Sequence, residues 1–359
     1  MKLGFGLYKH MLNEAHYKFA RQCGATHIII HLVDYFNQGN KASLNNQPVG
    51  DSGGWGLAGD PDKLWTVEEL IKIKTDLAKY DLVLEGIENF DPAHWYDILL
   101  DGPKRSLHVK NVKTIIRNVG KAGIPVFGYN FSLAGVSGRI IEDSARGNAT
   151  SVGLNGSNDI LEQPIPKGMI WNMIYDQHAE EGLQPEITHK ELWRRLRNFL
   201  NEILPVAEEA GVIMAAHPDD PPLKFVRKQP RLVYQPSMYQ DLIDGNPSPC
   251  NQLEFCLGTL AEMKEGDIYE ATDEYTKQNK VAYIHFRNVK GKVPHYKETF
   301  IDEGDIDMKK ILKILKKNKF EGVLIPDHTP QMSCDNPWHA GMAYAMGYMK
   351  ALLSQLNNH

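Results

Sequence analysis

Eight short, nearly continuous apolar runs recur along the chain with amphipathic segments between them. This alternation constrains the fold more than any other feature. The runs are Leu3–Tyr8, Thr26–Leu32, Leu82–Ile87, Pro125–Phe131, Val212–Ala216, Gln252–Leu257, Val281–Phe286 and Gly322–Ile325. Unbroken apolar character over the length of a strand is what a parallel strand needs when both its faces are covered. Helical periodicity marks Glu14–Cys23, Thr66–Tyr80, Val109–Ala122, Lys190–Ala210, Met308–Lys317 and Trp338–Leu356. Gly24, Gly123, Gly211 and Gly322 stand where helices stop and strands begin, as helix caps do. The pattern predicts an α/β fold of the (β/α)₈ barrel type. The competing fold is an open doubly wound sheet. Such a sheet binding a dinucleotide carries G-x-G-x-x-G after its first strand, and Gly4 and Gly6 do not continue into that motif.

With 359 residues the chain is within reach of one barrel, and we expect a single domain over 1–359. Two stretches break the rhythm. Asn37–Asp62 is rich in Gly, Asn and Asp, and Ala134–Asn172 in Gly, Ser and Asn. Both follow strands, on the side where a barrel keeps its site, so they read as excursions near 37–62 and 134–172 at that face. The net charge is −5 with no basic block, which argues against nucleic-acid binding. No apolar run approaches the length of a membrane span, and the first residues lack a signal-peptide core. Cys23, Cys250, Cys256 and Cys334 form no C-x-x-C pair, which suits a reduced cytoplasmic compartment. A homo-oligomer is compatible with the sequence, which shows no interface.

The chemistry clusters in the second half. Ala215-Ala216-His217-Pro218-Asp219-Asp220-Pro221-Pro222 ends an apolar run in His and an acidic turn. Glu254-Phe255-Cys256-Leu257-Gly258-Thr259, Tyr283-Ile284-His285-Phe286-Arg287-Asn288 and Leu324-Ile325-Pro326-Asp327-His328 follow the same plan. His217, Cys256, His285 and Asp327 thus stand at or near the ends of the fifth to eighth expected strands, which converge on one mouth in a barrel. Taken singly, a His ending a strand is commonly structural, a buried Cys is a small hydrophobe, and an Asp before a helix is a cap. Four such residues on four successive strand ends are better explained as a metal site. Its mixed N, S and O donors suit Mn²⁺, Fe²⁺, Co²⁺ or Zn²⁺ better than Mg²⁺ or Ca²⁺.

On these residues the chain resembles the D-mannonate dehydratase family, within the xylose-isomerase-like barrels. The likeness rests on A-A-H-P-D-D-P-P at 215–222, Phe255–Gly258, Ile284–Arg287, G-D-I-D-M at 304–308, P-D-H at 326–328 and Lys113–Asn130. The resemblance implies a divalent metal, typically Mn²⁺ or Fe²⁺, on His217, Cys256, His285 and Asp327. It also implies dehydration of D-mannonate to 2-keto-3-deoxy-D-gluconate, with Arg287 on the substrate and His328 in acid/base work. Two segments depart from the family. Ser132–Arg139 lacks the family's Asp-Trp-Thr, with Arg139 in place of its Arg. Asn336-Pro337-Trp338-His339 lacks a family Tyr, with His339 as the nearest replacement.

Dehydrating a sugar acid requires loss of a proton beside the carboxylate and protonation of the departing hydroxyl. A divalent cation spreads the charge that develops, and His titrates near neutrality. His328 is therefore the first catalytic candidate and His339 the second. Arg287 and Arg139 are candidates for the carboxylate, since arginine forms a bidentate fork. Asn130 and His31, closing the fourth and second runs, are substrate-binding candidates. Glu85, Glu88, Asp219, Asp220, Trp65, Trp95 and Trp338 serve packing, salt bridges or hydrogen bonding as readily as function. The leading reading is a metal-dependent lyase acting on a sugar acid. An isomerase or epimerase on the same barrel needs no acid for a leaving group. A non-catalytic binder with a structural metal has no need of His328 or Arg287 beside the metal.

Overall fold

The computed structural model describes residues 1–36, 47–49, 54–156 and 158–357. All eight expected runs form strands, which we number along the chain. They are β1 (Lys2–Leu7), β2 (His27–Ile30), β3 (Val83–Glu88), β4 (Val126–Tyr129), β5 (Ile213–Ala216), β6 (Asn251–Cys256), β7 (Val281–His285) and β8 (Val323–Ile325). Each pairs in parallel with its sequence neighbours, and β1 pairs with β8, so the sheet closes into a barrel. An open sheet is thereby excluded. Ile29, Val126, Ala215, Tyr283, Val323 and Ile325 pack together as one cluster inside the ring, and a larger apolar shell lies between strands and helices.

The six expected helices form, some with shifted ends. Asn13, Thr66, Thr188 and Asp307 cap four of them by accepting a backbone amide. Thr66 adds a reciprocal bond from Glu69. The periodicity does not reveal Pro92–Leu100, Met238–Gly245, Leu257–Glu262 or Ile268–Lys277. Pro92–Leu100 is buried on most sides and so carries no polar stripe. No helix among the described residues is long and apolar enough to cross a membrane.

The excursion expected over 134–172 is more ordered than a loop. It contains the hairpin Arg139–Ala145/Ala149–Asn155. This joins a second hairpin after β7, Asn288–Lys292/His295–Thr299, in a four-stranded antiparallel sheet. Met169–Ile170 and Met173–Ile174 form another small sheet with Gly56–Leu57. Of the excursion expected over 37–62, residues 37–46 and 50–53 lie outside the described residues.

Candidate active site and metal centre

The mouth of the barrel holds a cleft lined by aromatic, charged and histidine side chains. Tyr8, Tyr35, Trp55 and Trp171 make its aromatic side, with the Tyr35 and Trp55 rings 5.4 Å apart. His31, Glu88, Asn130, Arg139, His217, Asp220, His285, Asp327 and His328 are among the residues that line the rest.

His217, Cys256 and His285 bring one donor atom each within 4.8 Å of one another. Cys256 and His285 end neighbouring strands and are register partners. His217 Nδ1–H donates to the Pro218 carbonyl at 2.6 Å, which directs Nε2 inward, 3.9 Å from Glu254. Burial pushes the Cys256 thiol up. The Arg287 guanidinium and hydrogen bonds from His217 and His285 outweigh it and hold the thiol well below its usual range. A thiolate is the form that ligates a metal.

Asp327 follows β8 with a left-handed φ of 62°. Its Oδ2 lies 3.4 Å from His285 Nδ1, 3.0 Å from His328 Nε2 and 3.3 Å from Arg287 Nε. Asp327 therefore adjoins the three-residue donor group through His285 rather than sitting within it. His285 Nδ1 is buried and makes no hydrogen bond. An ion about 2.0–2.2 Å from both atoms of a tetrahedral pair sets them roughly 3.3 Å apart, close to the observed gap. The donors present fit a borderline divalent cation.

His328 is held between two carboxylates. Its Nδ1 is 2.8 Å from Glu298 Oε2, and its Nε2 faces Asp327. Burial alone would strip its proton, but Asp327 and Glu298 prevail and raise it to about 9. Glu298 comes from the hairpin after β7 and also accepts from Gln47 Nε2 at 2.7 Å.

Arg139 and Arg287 differ in access to the cleft, although both face Asp220 and Glu298, Arg139 at 4.0 and 3.9 Å. Arg139 lines the cleft, where it donates to the Gln47 side-chain carbonyl and, at 3.1 Å, to the Pro48 carbonyl. Its buried Nε has no hydrogen-bond partner. Arg287 is 3 % exposed and is not among the residues lining the cleft. Its guanidinium meets Glu262 at 2.9 Å, Asp220 at 3.1 Å, Asp327 at 3.3 Å and Glu298 at 3.6 Å. The expected role of substrate anchor therefore does not suit Arg287, whose charge is already consumed.

The other candidates divide similarly. Asn130 faces the cleft with its amide committed at both ends, donating to the Pro218 carbonyl and accepting from Trp171 Nε1. His31 lies 3.8 Å from Glu88, with its ring 4.9 Å from that of Tyr8. His339 does not join the site. It packs against Phe19, with ring centroids 4.6 Å apart, on the helix Pro337–Asn357. Asp219 and Asp220 are both buried, so neither is a solvated turn. Asp219 pairs with Arg231 at 2.9 Å. Glu85 forms a salt bridge to Lys2. Trp65, Trp95 and Trp338 are absent from the cleft lining.

Glu262, Glu298 and Gln47 escape the sequence reading, because nothing in their spacing links them to a strand end. Glu254 carries a legible signal. It is the lone charge in an apolar run, two residues before Cys256, and so faces the same way.

Comparison with known proteins agrees with this geometry. The chain matches the family model D-mannonate dehydratase (UxuA) over residues 1–359. It is 31% identical over 274 residues to a mannonate dehydratase of Streptococcus suis (strain 05ZYH33), covering 74% of each chain. It is 30% identical over 294 residues to one of Geobacillus thermodenitrificans (strain NG80-2), covering 74% of this chain and 76% of that one. The crystal structure of mannonate dehydratase from Streptococcus suis serotype2 superposes with a TM-score of 0.77 at 25% identity, over 99% of this chain and 93% of that one. A xylose isomerase domain protein from Planctomyces limnophilus, at 12% identity and a TM-score of 0.57, shares the fold. The chain belongs to the D-mannonate dehydratase family, hydro-lyases that take water from D-mannonate.

Proposed function

We propose that this cleft converts D-mannonate to 2-keto-3-deoxy-D-gluconate and water with a divalent metal held by His217, Cys256, His285 and Asp327. Mn²⁺ or Fe²⁺ suits the mixed donors, with Co²⁺ and Zn²⁺ as alternatives. The observation that carries the reading is the placement of His328, clamped between Asp327 and Glu298 at the wall of the cleft. When bound, the metal supplies Lewis acidity that spreads charge developing on the substrate.

Arg139 takes the substrate carboxylate, since it lines the cleft. A bidentate guanidinium contact fixes the acid group, and His31, which lines the cleft and which burial holds below the usual imidazole range, takes the proton from the adjacent carbon. His328, kept protonated by its two carboxylate neighbours, gives its proton to the departing hydroxyl. The aromatic side of Tyr8, Tyr35, Trp55 and Trp171 packs on the sugar chain and excludes water. The thiolate of Cys256 suits a reducing compartment, and we place the enzyme in the cytoplasm.

The test is to load the protein with Mn²⁺ and offer D-mannonate alongside other aldonates and aldoses. We expect a 2-keto-3-deoxy acid from D-mannonate. An isomerised sugar, or no turnover of any aldonate, overturns the reading. His328→Asn should keep the metal and lose on the order of 10²–10⁴ in kcat.

A further inference from the structure

We propose that the barrel binds a second divalent cation one layer beneath the first, on Glu88, Glu254 and the Nε2 atom of His285. It adds to the ion proposed above and shares His285 with it, so that the ring, its remaining N–H proton released to solvent, lies between the two as an imidazolate. The three side chains bring one donor atom each within 4.8 Å of one another. His285 Nε2 is 3.1 Å from Glu254 Oε1 and 3.2 Å from Glu88 Oε2. Those separations match the edges of a tetrahedron drawn around an ion about 2.0 Å from each atom. The opposite nitrogen, Nδ1, is the one that faces Asp327.

The layering follows from strand geometry. Glu254 and Cys256 are two apart on β6, as Tyr283 and His285 are on β7, so each pair points to the same side at successive depths. On β4, Gly128 leaves the space open. A Cβ there would fall 2.2 Å from the Tyr283 hydroxyl and 2.5 Å from Glu254 Oε2.

Charge favours a cation here. Glu254 is 0% exposed, and neither of its carboxylate oxygens has a hydrogen-bond partner. Glu88 accepts from the Tyr283 hydroxyl at 3.2 Å. Among the described residues, neither glutamate forms an ion pair with a lysine or arginine. The nearby Arg139 and Arg287 face Asp220, Glu262, Glu298 and Asp327 instead. Two buried carboxylates whose partners are histidines and one tyrosine hydroxyl are costly to keep ionised, and a cation between them offsets that cost. Two carboxylate oxygens and an imidazole suit Mn²⁺ or Zn²⁺.

The experiment counts ions. The full chain is loaded with excess MnCl₂, passed through a desalting column, and its manganese per chain measured by elemental analysis. Wild type should hold two ions. Glu254→Gln and Glu88→Gln, which keep side-chain shape, should hold one. Cys256→Ala should also hold one, because it spares the lower site. One ion in wild type overturns the proposal, whether Glu254→Gln leaves that ion or removes it. Two ions retained by both glutamine variants overturn it as well. A Cys256→Ala count equal to wild type would refute the upper ligand set and leave the lower one standing. Should the variants fail to fold, manganese EPR of wild type decides. A second equivalent of Mn²⁺ should broaden the six-line signal of the first through dipolar coupling, and an unbroadened, additive signal overturns the proposal.

Discussion

Replacing Arg287 with Met separates the structural role of this residue from the substrate-binding role that its position suggests. The guanidinium is buried and holds Glu262, Asp220, Asp327 and Glu298 within 4.0 Å. Gly258 leaves room for it, since a Cβ there would lie 2.3 Å from Arg287 Nη1. Removing one partner from a buried ion network costs about 3–5 kcal/mol, because the remaining charges stay in place without solvation. Glu262 absorbs part of that cost by taking a proton. Burial already pushes its carboxyl well up, against the pull of Arg287. The expected loss is therefore nearer 3 than 5 kcal/mol. For a chain of this size that lowers Tm by about 4–5 °C. Thermal unfolding followed by circular dichroism, on protein with and without Mn²⁺, measures it. Arg287→Lys should recover only part of the loss, because one ammonium cannot face four acids in a plane. An Arg287→Met enzyme with wild-type Tm and only a raised KM would refute this account and return the residue to the substrate.

Other outcomes follow from the same geometry. Arg139→Gln should raise KM for D-mannonate at least tenfold, checked by steady-state kinetics; an unchanged KM would assign the carboxylate elsewhere. Cys256→Ala should weaken Mn²⁺ binding without unfolding the barrel, as read by titration calorimetry and circular dichroism. His339→Phe should leave kcat within about twofold of wild type, since the ring packs on Phe19 away from the cleft. His108 is buried, accepts from the Asp97 amide at 3.1 Å, and is depressed to about 4 from 6.5 by burial and Lys104. Because the unfolded chain takes the proton first, stability should fall as pH drops from 6.5 toward 4, by about 3 kcal/mol in all. His108→Gln should flatten that decline in a series of denaturant titrations, and an equal decline in both proteins would remove His108 as its cause.

The barrel was legible because its strands are covered on both faces and so read as apolar runs with sharp ends. His217, Cys256, His285 and Asp327 were legible for the same reason, since each stands where a run stops. The two hairpins were not. Arg139–Ala145 and Asn288–Lys292 face solvent along much of their length and show no two-residue alternation of apolar positions. The roles of the two arginines were hidden as well. What separates Arg287 from Arg139 is the company of acids drawn from four distant segments, and no spacing rule reports that. His339 shows the reverse case, a plausible residue type beside the expected segment, turned by its helix toward Phe19.

The four-stranded sheet over the barrel couples two loops that are far apart in the chain. Its central rungs join Leu154 to Tyr296 and Gly153 to Lys297, and the Ser151 hydroxyl donates to the Glu298 carbonyl at 2.9 Å. One hairpin brings Arg139 to the cleft, and the other brings Glu298 to His328. Arg139 in the cleft and Glu298 beside His328 are thus set in register by backbone pairing. Neither loop is a free module. A graft that transplants the insertion after β4 from another barrel, without its counterpart after β7, would shift both ends of the chemistry together. New specificities on this scaffold have to be acquired as matched pairs of hairpins.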